Sequence, residues 1–321
     1  TMKYLQAVLG ILFLTLTVYA HNPGADDSLP WIPFTWEPEN PNKGIPEKTQ
    51  FSIPVKITGI SQQFEALINL NSMARTMLNG YAFDRCLKKY PALKQRIDTT
   101  RIAYIQDIFC PFLTKIELTL GEIVFPETDI PLFYNYLYTA ADSLSAKSEK
   151  RIATIATDFF ADGVLVIDYP NERLCRLNEI AESWKEKFYF VDIRKSKDYP
   201  KVILPLKIAG STRNVIFETD CNMFPLLSTP SKISKIIDAK CCTDTLLLGY
   251  GAERIELYGY KIKGAVRLGP IVFDSCPIYE VEYIDDDDLN KAKVWGIIGN
   301  RYFLNRTIVI DYKNGKFGIS Y

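Results

Sequence analysis

Two short stretches of the 321-residue chain place polar, chemistry-bearing side chains at the end of apolar runs. One is Phe217-Glu218-Thr219-Asp220-Cys221-Asn222, and the other is Leu67-Ile68-Asn69-Leu70-Asn71-Ser72. Carboxylates placed this way suit general acid–base work on a bound water or carbonyl. Glu218 and Asp220 would share a face if the strand continued, and would not if it turns. The remaining chemistry is narrow. The lone histidine, His21, lies near the N-terminus. Ser-His-Asp, Cys-His and His-rich metal arrangements all need an embedded imidazole, so none is supported. No metal site and no cofactor is expected. The seven cysteines include no CxxC, and Cys241-Cys242 are adjacent. They read as buried thiols with one or two disulfides at most.

The elements that must position these stretches repeat. Ile53-Pro-Val-Lys-Ile-Thr-Gly59 returns as Leu204-Pro-Leu-Lys-Ile-Ala-Gly210. Leu120-Gly-Glu-Ile-Val-Phe125 returns as Leu268-Gly-Pro-Ile-Val-Phe273, and Val166-Ile-Asp-Tyr-Pro-Asn171 as Val309-Ile-Asp-Tyr-Lys-Asn314. The order is kept and the offsets drift slowly, through 151, 148 and 143 residues. This pattern implies a tandem duplication with small length differences. Each half reads as mainly β, with short β-branched or alternating runs at Val55–Ile57, Phe64–Ile68, Ile116–Leu120, Ile123–Phe125 and Val164–Asp168. Lys313-Asn314-Gly315-Lys316 predicts a hairpin turn, with Tyr169–Glu172 as its counterpart. Helices are expected near Arg85–Asp98, Pro131–Glu149, Leu177–Lys187 and Ser231–Asp238.

Two β-rich halves, each with a polar triplet closing an apolar strand, resemble the aspartic peptidases of the pepsin-like and retropepsin-like type. The resemblance covers most of the chain. It implies a two-lobe acid-protease fold in which the lobes face each other across a groove. Asn69-Leu70-Asn71 and Glu218-Thr219-Asp220 stand where that family carries Asp-Thr-Gly or Asp-Leu-Gly. The family's later apolar-apolar-Gly motif is matched by Ile297-Ile298-Gly299 and by Thr154-Ile155-Ala156, which lie 81 residues after Glu218 (Gly299) and 87 after Asn69 (Ala156). The defining acids have changed. The family mechanism shares one proton between two facing aspartates. Asn69 does not titrate, and Glu218 carries its carboxyl one methylene further out. A misplacement of ~1 Å costs on the order of 100-fold in such a centre. Asn71 and Asp220 replace glycines yet belong to the residue types that tolerate positive φ, so the turn shape is expected to persist. Ala153 and Ala156, each in a glycine position, imply a slightly wider first-lobe site.

Three readings follow. The leading one is a catalytically silent aspartic-peptidase fold that binds a peptide or protein partner in the interlobe groove. The second is an active peptidase with a non-standard Asn69/Glu218 or Glu218/Asp220 centre. The third is a structural or assembly protein with no ligand in the groove. Lys3, the apolar run Ala7–Val18 and the small residues before His21 read as a secretory signal, residues 1–20, cleaved near Ala20 for export. That run is short for a transmembrane helix, so no stable membrane insertion is expected. A Pro-rich leader (21–46), a first lobe (47–176), a helical connector (177–197) and a second lobe (198–321) complete the expected organisation. Without the signal, 37 basic residues face 38 acidic ones, which gives no footprint for nucleic acid. Asp285–Asp288 reads as a solvated insertion, since it lacks the alternating oxygen ligands and glycine of a calcium loop. Tyr250, Tyr258 and Tyr260 lie in an expected Gly-kinked hairpin and are candidates for a binding surface or the core.

Overall fold

A computed structural model describes residues 28–36, 48, 50–70, 75–105, 108–134, 150–195, 201–219, 224–250, 253–274, 276–282 and 284–321. The signal segment, most of the Pro-rich leader, residues 135–149, Asn71 and Asp220 lie outside these residues. The described chain is mainly β with a few short helices. Its first half contains β1 (Ile32–Pro33), β2 (Thr35–Trp36), β3 (Phe51–Ile57), β4 (Phe64–Ile68), β5 (Met77–Asn79), α1 (Gly80–Lys89), β6 (Ile97–Ile105), β7 (Ile108–Leu120), β8 (Ile123–Phe133), β9 (Arg151–Ile155), β10 (Val164–Asp168) and β11 (Arg173–Leu177). The second half contains β12 (Phe188–Asp192), β13 (Arg194–Lys195), β14 (Val202–Ile208), β15 (Ser211–Phe217), β16 (Leu226–Ser228), α2 (Pro230–Ile233), β17 (Ile237–Tyr250), β18 (Glu253–Ile262), β19 (Arg267–Leu268), β20 (Ile271–Val272), β21 (Ile278–Glu280), α3 (Asp286–Lys291), β22 (Gly296–Ile298), β23 (Thr307–Asp311) and β24 (Lys316–Ser320).

Each half builds its own sheet by the same pairings. The hairpin β3–β4 feeds a parallel pairing of β4 with β9, and β14–β15 feeds β15 with β22. The short strands β5 and β16 then run antiparallel to β9 and β22 and parallel to β8 and β21. The strands β3 and β14 alternate their single exposed lysine with the same run of buried positions. The turns after them use Gly59 and Gly210 at φ 87° and 81°, a region that suits glycine. Sequence repeat and structural repeat thus coincide residue by residue.

A third sheet joins the halves, in the order β1-β11-β10-β23-β24-β12. At its centre β10 and β23 are antiparallel, and Val166 pairs with Val309, its own repeat counterpart. The approximate two-fold axis of the molecule therefore passes through that residue pair. All five residues of each central strand are buried, consistent with strands covered on both faces. Phe34 packs its ring 4.4 Å from Phe51 and joins Trp36 and Tyr169 in one aromatic cluster, which anchors this described part of the Pro-rich leader. Phe217, Phe303 and Phe317 form a separate aromatic cluster in the second half.

Several expectations need correction. The segment 177–197 is no helical connector: it holds one 3-10 turn, Glu182–Trp184, and then β12 and β13. Its aromatic run Phe188-Tyr189-Phe190-Val191 completes the edge of the third sheet against β24, with Phe188 stacked 5.3 Å from Trp184. The first helix begins earlier than Arg85, because Asn79 caps it by accepting from the Ala82 N–H. Its expected end is a separate 3-10 turn, Pro91–Arg96, since Pro91 cannot continue an α-helix. The segment Pro131–Glu149 opens as the end of β8, with its remainder outside the described residues after Tyr134. Ser231–Asp238 is helical only through Ile233. The acidic run is solvated as expected, with Asp285, Asp287 and Asp288 exposed, and it forms the start of α3, where Asp285 accepts from the Asp287 N–H and Leu289 is buried.

Candidate functional site

Asn69 and Glu218 each sit one residue beyond a strand that runs parallel to its neighbour. The Asn69 N–H donates to the Ile155 carbonyl and the Glu218 N–H to the Ile298 carbonyl, both at 3.0 Å. The two positions are therefore held by equivalent backbone bonds in the two halves. Asn69 is buried and Glu218 is half-buried. The alignment of the two triplets is thus supported by geometry as well as by spacing.

The turns are tied together directly. The Thr219 hydroxyl accepts the Leu70 N–H at 3.0 Å and donates to the Ile68 carbonyl at 3.0 Å. Thr219 has no exposed surface, so these bonds are shielded from water. One side chain of the second half thereby satisfies two backbone groups of the first, on either side of Asn69. The two-fold axis assigns Leu70 the same position relative to Phe217 and Thr219. An isobutyl group can form neither bond, so the tie is one-sided.

Behind Thr219 the network continues. Asn300 Nδ2 donates to the Thr219 carbonyl at 3.0 Å, and the Tyr169 hydroxyl donates to Asn300 Oδ1 at 2.6 Å. All three residues are at least 99% buried. A hydrogen-bonded path thus runs from the central sheet to the tie between turns. Burial holds the Tyr169 phenol well above its ordinary pKa, which keeps it a donor. Its counterpart Tyr312 is also buried, but its hydroxyl has no partner among the described residues. The counterpart of Asn300 is Thr157, whose side chain is shorter and lacks an amide.

The first half is secured differently. Thr76 Oγ1 accepts the Ala156 N–H at 3.0 Å and donates to Asp158 Oδ1 at 2.7 Å. The Thr76 N–H also reaches the Asp158 carboxylate at 2.9 Å. Burial raises the Asp158 pKa, and the Thr76 bonds only partly offset this. In the second half a backbone bond, Gly299 N–H to the Pro225 carbonyl at 3.2 Å, takes the place of the threonine. Gly296 is required there, because a Cβ would stand 2.2 Å from the Leu227 carbonyl. Ala153 in the equivalent strand and Ala156 just after it are both buried, so the first half accommodates both methyls.

Asp158 and Thr76 also line a cavity of about 550 Å³ with Arg75, Arg101, Phe112, Glu127 and Asp129. Arg75 and Arg101 each lie within 6 Å of the Phe112 ring centre. Arg101 is further tied to Asp98 at 2.7 Å and Asp129 at 2.8 Å. The tyrosine-rich hairpin forms as β17–β18. Tyr258 is exposed and donates to Glu256, and half-buried Tyr260 donates to Glu280 at 2.8 Å.

The structure brings together Asn69, Leu70, Ile155, Glu218, Thr219 and Ile298, and places Ala156 and Gly299 one residue beyond them. Sequence reasoning missed Thr76, Asp158, Tyr169 and Asn300. A signal was present: polar residues directly follow both later motifs, as Thr157-Asp158 and Asn300. Among the described residues no cluster of three or more His, Cys, Asp or Glu side chains forms a metal site. No described helix is long and apolar enough to cross a membrane. Comparison of the chain with protein families and with curated proteins finds no match.

Proposed function

We propose that this chain is an exported, catalytically silent relative of the two-lobe aspartic peptidases, which binds a peptide or protein partner between its halves. The observation that carries the reading is the bonded pair of turns. Thr219 ties the loop of Glu218 to the loop of Asn69, at the two positions where that family's chemistry needs facing aspartates. Of the two family positions, one carries a carboxylate, Glu218, and the other an amide, Asn69. A lone acid lacks the like-charged neighbour that splits two pKa values into an acid and a base. It also has no second titratable group to protonate the scissile carbonyl while a water attacks, since the Asn69 amide can donate a hydrogen bond but not its proton.

The reading is tested by incubating the protein with a diverse peptide mixture from about pH 3 to 7. No cleavage is expected, and Glu218→Gln is expected to change nothing. Cleavage that Glu218→Gln abolishes would establish the second reading, an active Asn69/Glu218 or Glu218/Asp220 centre. Binding is read in parallel on a peptide array, with Glu218→Arg as the variant that obstructs the groove. Loss of array binding in that variant supports a groove ligand, whereas an absence of any binding favours a purely structural role.

A further inference from the structure

We infer that the second half carries an oxyanion-binding site, remote from the paired turns and built on Arg213 and Trp295. A cavity of about 290 Å³ is lined by Thr212, Arg213, Asn214, Lys232, Asn290, Lys293, Val294 and Trp295. Three of these residues are cationic and none is acidic. A concave surface lined by one sign of charge concentrates ions of the other.

The arginine is the centre of the argument. Arg213 lies on β15, upstream of Glu218, with its guanidinium carbon 5.1 Å from the Trp295 ring centre. Trp295 is nine-tenths buried. Arg213 Nε is fully shielded from solvent and has no hydrogen-bond partner, and the guanidinium makes no ion pair among the described residues. A shielded donor without an acceptor is costly, and native proteins rarely leave one so. Arg176 Nε is likewise shielded without a partner, but that guanidinium pairs with Asp162 through Nη2; Arg173 pairs with Asp168 at 2.9 Å and Arg194 donates to the Ala292 carbonyl at 2.7 Å. The cation–ring contact holds the guanidinium against the indole, and its Nη groups are donors matched to a phosphate- or sulfate-type group.

The surrounding groups converge on the same purpose. Lys232 is mostly buried and held by Asn290 Oδ1 at 2.8 Å, which fixes its ammonium at the rim. Lys232 also forms a long ion pair with Asp286 at 3.9 Å, whose oxygens accept from Thr229 and Ser231. Lys293 is exposed and its backbone adopts φ 54°, with its carbonyl held by Arg194 at 3.1 Å. The internal repeat supplies an independent comparison. The first-half counterparts of Arg213 and Trp295 are Phe64 and Ile152, both essentially unexposed. The fold therefore fills this place with apolar side chains when stability alone is served. An arginine on a tryptophan is a departure peculiar to the second half.

The site is small and open to solvent, so it fits a tetrahedral oxyanion, free or borne on a larger molecule. The test titrates the isotopically labelled full chain with inorganic phosphate, and separately with sulfate, at constant ionic strength set by sodium chloride. The Arg213 Nε–Hε and Trp295 indole resonances are followed. Saturable shifts with a dissociation constant on the order of 1 mM are expected. Arg213→Lys keeps the charge but loses the fork, and should weaken binding roughly tenfold. Lys293→Gln alters an exposed side chain without touching the core, and should weaken it several-fold. Lys316→Gln, on the distant β24, should have no effect. Non-saturating shifts, equal shifts with chloride, or affinities unchanged by Arg213→Lys and Lys293→Gln would each overturn the inference. A phosphomonoester that binds more tightly than phosphate itself would identify a carried group, and equal affinity a free ion. Neither outcome depends on what the paired turns bind.

Discussion

Replacing Thr219 by valine removes one hydroxyl and keeps the shape of the side chain. The Leu70 N–H and the Ile68 carbonyl, each bonded at 3.0 Å, then face a methyl group. Thr219 has no exposed surface, so water cannot replace either partner without the turns moving apart. A buried donor or acceptor left unmade costs about 1–3 kcal/mol. The two together put the loss at about 2–5 kcal/mol, a large share of the ~5–15 kcal/mol that holds a folded domain. The assay is urea unfolding followed by tryptophan fluorescence, with the midpoint compared at a shared slope. The two-fold axis permits a sharper control. Leu70→Thr in the Thr219→Val background places a hydroxyl on the opposite arm, facing Phe217 and Thr219. That double variant should recover part of the loss, despite giving up some buried leucine surface. A Thr219→Val change below ~0.5 kcal/mol, or no difference between single and double variants, would refute the reasoning that this hydroxyl ties the turns.

Other predictions follow from the same geometry. Tyr169→Phe should cost about 1–2 kcal/mol, because Asn300 Oδ1 loses its 2.6 Å donor; thermal unfolding checks this, and Tyr312→Phe should be near neutral, since that hydroxyl has no partner among the described residues. Gly296→Ala should destabilise by about 3 kcal/mol through contact with the Leu227 carbonyl, whereas Ala153→Gly at the equivalent place should cost about 1 kcal/mol or less. Asp158 has a folded pKa raised by burial, so its contribution is fully present below the ordinary carboxylate value and is lost as pH rises through the folded value. The stability difference between wild type and Asp158→Asn should accordingly shift toward the variant as pH rises through that window, as read by denaturation at a series of pH values. Burial pushes the Cys175 thiol up to about 12, so alkylation at pH 8 should modify exposed Cys242 well before Cys175, as peptide mass mapping would show.

The strands that could be read from sequence were those whose pattern is local. Phe64–Ile68 and Val164–Asp168 begin and end where their apolar runs do. The repeat offsets then placed Asn69 opposite Glu218, because duplication converts a long-range question into an alignment. The segment Leu177–Lys187 failed for a physical reason. Its Ile180 and Trp184 have helical spacing, but their burial comes from packing under β12 and not from a helix face. The networks that secure the site also escaped. Thr76 and Asp158 are 82 residues apart, and Tyr169 and Asn300 are 131 apart. No local pattern predicts which buried hydroxyl will meet which amide across such distances. Arg213 was equally silent, since an arginine in an amphipathic strand reads as an ordinary exposed position.

The pairing of Val166 with Val309 has one more consequence. In a symmetric dimer of identical subunits, every substitution near the axis is made twice, and a residue must be compatible with its own copy. Here the two sides belong to one chain, so that constraint is lifted. One arm of the tie can keep a threonine while the other becomes leucine, and one apolar pair can become Arg213 on Trp295 while Phe64 and Ile152 stay as they are. Each half can therefore change on its own, a freedom that the identical subunits of a homodimer lack.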